Sequence, residues 1–266
     1  MNTIFSKSND KVKFIKSLNE KKFRTKTNSF YLEGVKVVNE ILDKAIDIKF
    51  IAYSKSILCT TNGGEELLKR IDGTDVEAID FEESIFKFMT DTVNTQGVLA
   101  VLDIPKYNLN TETQKENNNI LVLDKVQDPG NLGTIIRSSN AFGINIIICT
   151  KDTVDCYSQK VLRSTMGGIL NVEVIYVEDY DFVKVLERNG YIIVGTSLSA
   201  TESPDTLDYS NKYAFAMGNE ANGISKELEE KANVCVKIPM EDKIESLNVS
   251  VATSIILYEQ YKNKKK

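Results

Sequence analysis

The chain contains no histidine among its 266 residues. That absence removes the Ser-His-Asp triad, the Cys-His dyad and every histidine general base. Any catalysis must run on carboxylates, Lys, Arg, Tyr, hydroxyls or backbone groups. The four cysteines, Cys59, Cys149, Cys156 and Cys235, include no Cys-x-x-Cys pair. They are expected to be buried reduced thiols, with no metal site and no disulfide framework. No apolar run nears the ~20 residues that span a bilayer, and the first seven residues lack the apolar stretch of a secretory signal. The expected location is therefore the cytoplasm, with no membrane partner. Neither familiar phosphate-binding fingerprint is present: Gly130-x-x-Gly133 is followed by neither Gly-Lys-Ser/Thr nor the Gly-x-Gly-x-x-Gly spacing.

Apolar residues make up 42% of the chain and charged residues 27%, as in ordinary globular proteins. This length can bury one large core or two smaller ones. The net charge is −5, yet cations cluster. Lys7, Lys11, Lys13, Lys16, Lys21, Lys22, Arg24 and Lys26 face only Asp10 and Glu20, and the chain closes on Lys262-Asn263-Lys264-Lys265-Lys266. Screening confines a charge's field to roughly 8–10 Å, so such a cluster can contact phosphates even on an acidic protein. A solvated helix face with a basic tail is the other reading.

The stretch 105–119 is expected to be a linker: polar, Asn-rich, and flanked by the apolar runs Gly97–Leu102 and Ile120–Leu123. It divides residues 1–104 from residues 120–266. In the first part, helices are expected at Asn9–Leu18, Tyr31–Leu42, from Gly63 through Leu68, and Phe81–Met89, with a strand at Ile48–Tyr53. The second part is an α/β series. Near-continuous apolar runs at Ile120–Leu123, Ile144–Cys149, Val172–Ile175, Tyr191–Val194, Tyr213–Met217 and Val234–Ile238 predict parallel strands covered on both faces. Helices are expected at Gly133–Phe142, Ser158–Thr165, Tyr180–Arg188, Ser225–Lys231 and Leu247–Tyr261. The last carries an apolar stripe of Val251, Ile255 and Tyr258. The fold class is therefore α/β, a mostly parallel sheet with ligand loops at strand ends.

Three loops carry the chemistry. The first reads Asp128-Pro129-Gly130-Asn131-Leu132-Gly133, a turn signature, with Arg137 just beyond. Arg137 sits beside the apolar residues of its helix, and its planar fork suits phosphate. The second runs from Met217-Gly218-Asn219-Glu220 to Gly223. A structural turn needs its glycines but not Glu220, which could also be a carboxylate favourable to a helix N-terminus. The third runs from Ile238-Pro239-Met240 to Ser246-Leu247-Asn248. Pro239 ends a strand, and Ser246 or Asn248 can cap the last helix. Three such loops in one α/β segment imply one composite pocket.

These loops, in this order, resemble the three motifs of the SpoU (TrmH-like) class of RNA 2′-O-ribose methyltransferases, within the SPOUT superfamily. The resemblance spans Ile120 to about Tyr261 in the blocks Asp128–Gly143, Ala216–Gly223 and Ile238–Ser250. Residues 1–104 resemble the small ribosomal-protein-like α/β domain that accompanies many such enzymes and binds substrate RNA, through Phe30-Tyr31-Leu32-Glu33-Gly34. The resemblance implies a trefoil knot in the C-terminal segment of the catalytic domain, residues 120–266, and a homodimer through that domain, with the last helix at the interface. It implies S-adenosylmethionine as cofactor, lined by Gly195, Thr196, Ser197, Gly218, Ile238, Met240 and Leu247. It assigns catalysis to Asn131, Arg137, Glu220, Ser246 and Asn248, with Arg137 gripping the RNA phosphate and orienting the 2′-hydroxyl. Large-subunit ribosomal RNA is the favoured target. Transfer RNA, or a non-catalytic RNA-binding or assembly role on the same fold, are the alternatives.

Overall fold

The computed structural model describes residues 3–90, 92, 94–115, 119–241 and 245–264. Asn117 and Asn118 of the expected linker, and Lys265 and Lys266 of the basic tail, lie outside the described residues. The chain forms two compact units. One is Met1–Pro105 with Tyr157–Gln159; the other is Lys106–Cys156 with Lys160–Lys266.

The first unit runs α1 (Asp10–Ser17), α2 (Lys21–Thr27), β1 (Ser29–Glu33), α3 (Val35–Asp43), β2 (Ile48–Tyr53), α4 (Lys55–Leu58), α5 (Gly64–Asp72), β3 (Ala78–Asp80), α6 (Glu83–Thr90) and β4 (Val98–Asp103). Its sheet has the order β1-β4-β2-β3, antiparallel except for the β2–β3 pair. Phe50, Ala52, Leu99 and Val101 pack on Val12, Ile15 and Leu18 and on Ile85, Phe86 and Met89.

The helix expected to begin at Tyr31 starts four residues later, and Phe30-Tyr31-Leu32 is strand. These three side chains are all buried, and their backbone pairs with β4. Gly34, at φ +125°, then turns the chain into α3. Helical spacing of apolar residues is uninformative where a strand is buried on both faces.

The second unit runs α7 (Leu109–Gln114), β5 (Ile120–Leu123), α8 (Pro129–Ala141), β6 (Ile146–Thr150), α9 (Gln159–Thr165), β7 (Glu173–Val177), α10 (Phe182–Arg188), β8 (Tyr191–Thr196), β9 (Lys212–Met217), α11 (Lys226–Lys231), β10 (Val234–Val236) and α12 (Val249–Lys264), with short 3₁₀ turns at Gly168–Asn171 and Pro204–Thr206. Helix α7 falls in the stretch read as linker. It is tied down where Asn189 Nδ2 donates to the Thr113 hydroxyl at 2.7 Å.

The six strands pair in parallel throughout, in the order β10-β8-β9-β5-β6-β7. One face packs Ile120, Val122, Ile146, Ile148 and Ile193 against Phe182, Val183 and Leu186 of α10 and Leu228 of α11. Side chains alternate across a strand, and Leu121, Leu123, Ile147, Phe215 and Met217 on the opposite face are buried too. This is the doubly covered parallel sheet that the apolar runs predict.

Topology decides where the three loops meet. Strand β9 lies between β5 and β8, with Leu123 opposite Met217 and Gly195 opposite Ala216. Strand β10 lies outside β8, with Val236 opposite Thr196. The chain segments that leave β5, β9, β8 and β10 therefore emerge side by side at one carboxyl edge, where chain order reverses and ligands bind in open α/β sheets.

Candidate active site at the carboxyl edge of the parallel sheet

The first loop is more helical than its turn signature predicts. Asp128 caps α8, its side chain accepting from the Asn131 amide at 2.8 Å, and Pro129 opens the helix. Proline is favoured there because its missing N–H has no helical partner and its φ is already right. Asn131 thus sits in the first turn, on a rigid element. Gly133 permits close helix packing: an added Cβ would lie 2.2 Å from Ser164 Cβ.

The second loop is pinned to its own return. Asn219 and Gly223 exchange backbone hydrogen bonds at 2.9 Å each. A Cβ on Gly218 would lie 1.9–2.2 Å from backbone atoms of Gly223 and Ile224, so only glycine fits. Asn219 closes the loop further, its Nδ2 donating to the Lys125 carbonyl at 2.9 Å and its Oδ1 accepting from Ala221 N at 3.0 Å. Beneath the loop lies a buried acid, Asp124, the residue after β5. It accepts from the Thr150 hydroxyl (2.8 Å), the Tyr180 hydroxyl (2.8 Å) and the Ser225 amide (2.7 Å). Burial, with the Asp124 carboxylate beside it, pushes the Tyr180 hydroxyl up to about 12. An unpaired carboxylate here would be costly, and these donors satisfy it.

Asn248, not Ser246, caps α12. Its Oδ1 accepts from Ser250 N at 2.9 Å and Val251 N at 3.4 Å. Its Nδ2 donates to Asn131 Oδ1 at 3.0 Å, and Asn131 Nδ2 donates to Glu220 Oε1 at 2.9 Å. The polarity of this chain is fixed at both ends. An ionised carboxylate only accepts, and backbone N–H groups only donate. Each amide therefore has one orientation that satisfies both neighbours. Three loops remote in sequence are thereby joined through one run of side chains, and the Asp128 amide adds a donor to Glu220 Oε1 at 3.4 Å. Glu220 is held by Asn131 rather than by the helix that follows its own loop, where Ser225 is the cap.

Beside this chain opens a cleft of about 440 Å³, within the range of small-molecule sites. Of the twelve site residues expected from sequence, Thr196, Ser197, Gly218, Glu220, Ile238, Met240, Ser246 and Leu247 line it. Asn131, Asn248, Arg137 and Gly195 do not. The first two form the hydrogen-bonded chain with Glu220. Arg137, two turns into α8, is exposed, and its guanidinium has no ion pair or hydrogen bond among the described residues. Gly195 lies in β8, where a Cβ would meet Ile224 Cδ1 at 2.8 Å and Cys235 Sγ at 3.0 Å, so it serves packing next to the cleft.

The lining is mixed. Ile224, Ile238, Met240, Leu247, Val249 and Ile256 are apolar, Thr196 and Ser197 bring hydroxyls, and Glu220 and Glu229 bring carboxylates. That suits a ligand with a flat apolar ring, polar edges and a positive centre. Glu229 has no sequence signal, because α11 reads as an ordinary charged surface helix. The buried Asp124 has one: an acid directly after a wholly apolar strand.

The basic N-terminal segment is only partly available to a polyanion. Arg24 is buried and donates to the Leu18 carbonyl at 2.7 Å. Lys11 pairs with Glu77 at 2.7 Å and lies over the Phe50 ring. Lys7 and Lys16 lie over Phe88 at 4.5 and 3.5 Å, while Lys21, Lys22 and Lys26 are exposed. Cys149 and Cys156 are buried, Cys59 and Cys235 half-buried, and all four are free thiols. Among the described residues no helix is long and apolar enough to cross a membrane, and no cluster of His, Cys, Asp or Glu could hold a metal ion.

The comparisons with known proteins agree with this geometry. Residues 118–258, just over half the chain, match the SpoU rRNA Methylase family, and residues 9–100 match the MRM3-like substrate binding domain. The 23S rRNA (guanosine(2553)-2′-O)-methyltransferase RlmP of Bacillus subtilis is 33% identical over 97% of this chain and 98% of its own length. An uncharacterized tRNA/rRNA methyltransferase of Synechocystis is 29% identical over 97% of this chain and 92% of its own. The crystal structure of an AdoMet-bound rRNA methyltransferase from Sinorhizobium meliloti superposes with a TM-score of 0.87 at 31% identity, covering 98% of both chains.

Proposed function

The chain belongs to the SpoU rRNA methylase family of S-adenosylmethionine-dependent RNA 2′-O-ribose methyltransferases, and we propose that its substrate is ribosomal RNA of the large subunit. The observation that carries the reading is the hydrogen-bonded chain Glu220–Asn131–Asn248, which joins three loops at the mouth of a cleft with an open arginine on the same helix. The B. subtilis relative, whose name specifies 23S rRNA and which aligns along almost the whole chain, supports the target.

Thr196, Ser197, Gly218, Ile238, Met240 and Leu247 would hold S-adenosylmethionine, with Gly195 keeping the strand beneath them thin. When bound, that cofactor supplies a methyl group on a positively charged sulfur, an electrophile ready for in-line attack. The chain's own work is alignment. Arg137 engages an RNA phosphate and orients the ribose hydroxyl, because a guanidinium binds phosphate through two parallel donors. Asn131, held at both ends of its amide, fixes the position of the acceptor, with Glu220, Ser246 and Asn248 around it. Orientation alone can supply up to about 7–11 kcal/mol of barrier lowering.

The first unit supplies the RNA platform. Support comes from the match to a substrate binding domain and from exposed Lys21, Lys22 and Lys26. The enzyme works as a homodimer through α12. Val251, Ile255 and Tyr258 stand on successive turns of that helix with 41–51% of their surface exposed, a stripe that a second copy would cover. The same reading brings a trefoil threading of the final segment, and a cytoplasmic site of action beside the ribosome. Mapping of 2′-O-methyl groups in RNA from a deletion strain tests the target. A missing methyl in large-subunit rRNA is expected, and loss confined to transfer RNA refutes it.

A further inference from the structure

Met166 is out of place twice. It follows α9 with φ +53°, a left-handed conformation that a bulky side chain rarely adopts. It is also 64% exposed, where a large apolar side chain gains nothing from the fold. The residues around it hold it there. Before it, the buried Thr165 hydroxyl donates to the Leu162 carbonyl at 2.7 Å. After it, Gly167 is also left-handed at φ +89°, and Asn140 Nδ2 donates to the Gly168 carbonyl at 3.2 Å.

Such strain persists only where its surroundings impose it, and it concentrates at functional sites. The place it occupies is informative. A Cβ on Gly168 would lie 3.7 Å from Arg137 Cα and 3.3 Å from Asn140 Nδ2. The turn Met166–Gly168 therefore lies directly against α8 at Arg137. The other flank of α8 is taken by α12, through Ser138–Ser254 at 2.7 Å and Asn131–Asn248.

Resting on the assignment of Arg137 to the acceptor RNA, we infer that Met166 is a substrate-contact residue. Its thioether packs on a nucleobase of the RNA whose phosphate Arg137 grips. The chemistry fits: a flexible, polarizable thioether makes favourable contacts with aromatic rings without fixing their identity. The contact needs no hydrogen bond, so it adds affinity and orientation rather than base selection.

The test uses the full-length protein and large-subunit rRNA from a deletion strain, with tritiated S-adenosylmethionine as donor. Met166→Gly and Met166→Ala raise the KM for RNA by about three- to tenfold, with the KM for S-adenosylmethionine unchanged, and Met166→Leu, which keeps the apolar volume without the sulfur, recovers only part of the loss. Glycine is at ease at this φ, so Met166→Gly melts no lower than the parent, which separates loss of contact from loss of fold. A Met166→Gly enzyme with the parent's KM for RNA overturns the assignment, as does an equal rise in both KM values. If the parent transfers no methyl group to this RNA, the proposed target is wrong. Filter binding of the unfractionated RNA of the same strain, which contains the acceptor, then decides Met166 alone: affinity weakened three- to tenfold sustains it, and equal affinity ends it.

Discussion

Asn248→Asp changes one NH2 group to an oxygen and separates two tasks of a single side chain. The cap of α12 uses the Asn248 oxygen, which accepts from Ser250 N and Val251 N. Aspartate caps as well as asparagine. A carboxylate at the start of a 16-residue helix also gains about 0.3–1 kcal/mol from the macrodipole. The other task uses the NH2 group, donated to Asn131 Oδ1 at 3.0 Å. Its loss costs about 0.5–1.5 kcal/mol. The two changes nearly cancel, so stability should stay within about 1 kcal/mol and the unfolding midpoint within about 4 °C.

Activity should not stay. With carboxylates on both sides, the Asn131 amide has one NH2 group for two acceptors, and whichever way it turns, one contact becomes repulsive. Asn131 loses its unique orientation, and an error near 1 Å in a positioning group can cost about 100-fold. The expectation is parent-like melting with single-turnover methyl transfer reduced at least about tenfold. Asn248→Ala, by contrast, should also lose about 1 kcal/mol of stability with the cap. Parent-like transfer by Asn248→Asp refutes the positioning argument. A melt as low as that of Asn248→Ala refutes the claim that the oxygen alone makes the cap.

Four further outcomes follow from other parts of the structure. Gly218→Ala places a Cβ 1.9–2.2 Å from loop backbone; it should destabilise by about 1–3 kcal/mol and abolish S-adenosylmethionine binding by calorimetry, whereas Gly190→Ala, with nothing within 4 Å, should leave binding intact. Arg137→Lys keeps the charge but loses the planar fork, so kcat/KM should fall at least about tenfold with an unchanged salt dependence, while Arg137→Ala should lower that salt slope by about one. Ile255→Asp, at a site 41% exposed within one copy, should shift sedimentation from dimer to monomer without lowering monomer stability. Cys149 and Cys156, buried so that their thiols are pushed well up, should resist a disulfide reagent at pH 8 until guanidinium exposes them, after Cys59 and Cys235 have reacted.

How much of this was legible in the sequence differs by element. The six strands of the second unit announce themselves because a parallel sheet covered on both faces demands continuous apolar runs. Their order does not: nothing in the composition of β9 says that it inserts between β5 and β8, yet that insertion brings the first and second loops together. In the first unit, Tyr31-Leu32-Glu33 reads as helix by spacing, and only its pairing with β4 makes it strand. The Asp-Pro-Gly-Asn turn proved to be the first turn of α8, because capping and turn chemistry draw on the same residue types. The stripe Val251, Ile255 and Tyr258 is visible in the sequence, but spacing does not say what it faces: within its own chain α12 buries Val249, Thr253, Ile256 and Leu257. An apolar stripe in sequence does not say whether its own chain or another copy covers it.

The site residues themselves were legible mainly through the resemblance of the three loops to the SpoU motifs, since a structural reading was open for several of them from the residues alone. Only Glu220 stands out without it, because a structural turn needs the glycines of its loop but not that carboxylate, whereas Asn131 also belongs to an ordinary turn signature. The structure adds that the same side chains also assemble the fold locally. Asp128 caps α8 and thereby sets Asn131. Asn248 caps α12 and then holds Asn131 from the other side. Asp124 binds the Ser225 amide and so fixes where the second loop returns. Helix ends carry unsatisfied N–H groups, and here the residues that satisfy them deliver polar groups to the mouth of the cleft. Placing the site at the starts of two helices and the end of a rigid sheet requires no separate scaffold, and each positioning bond is also a folding bond. Alanine substitutions at these positions therefore mix stability with function. Only changes that alter one atom of a side chain, such as an amide nitrogen to an oxygen, can assign each bond to its role.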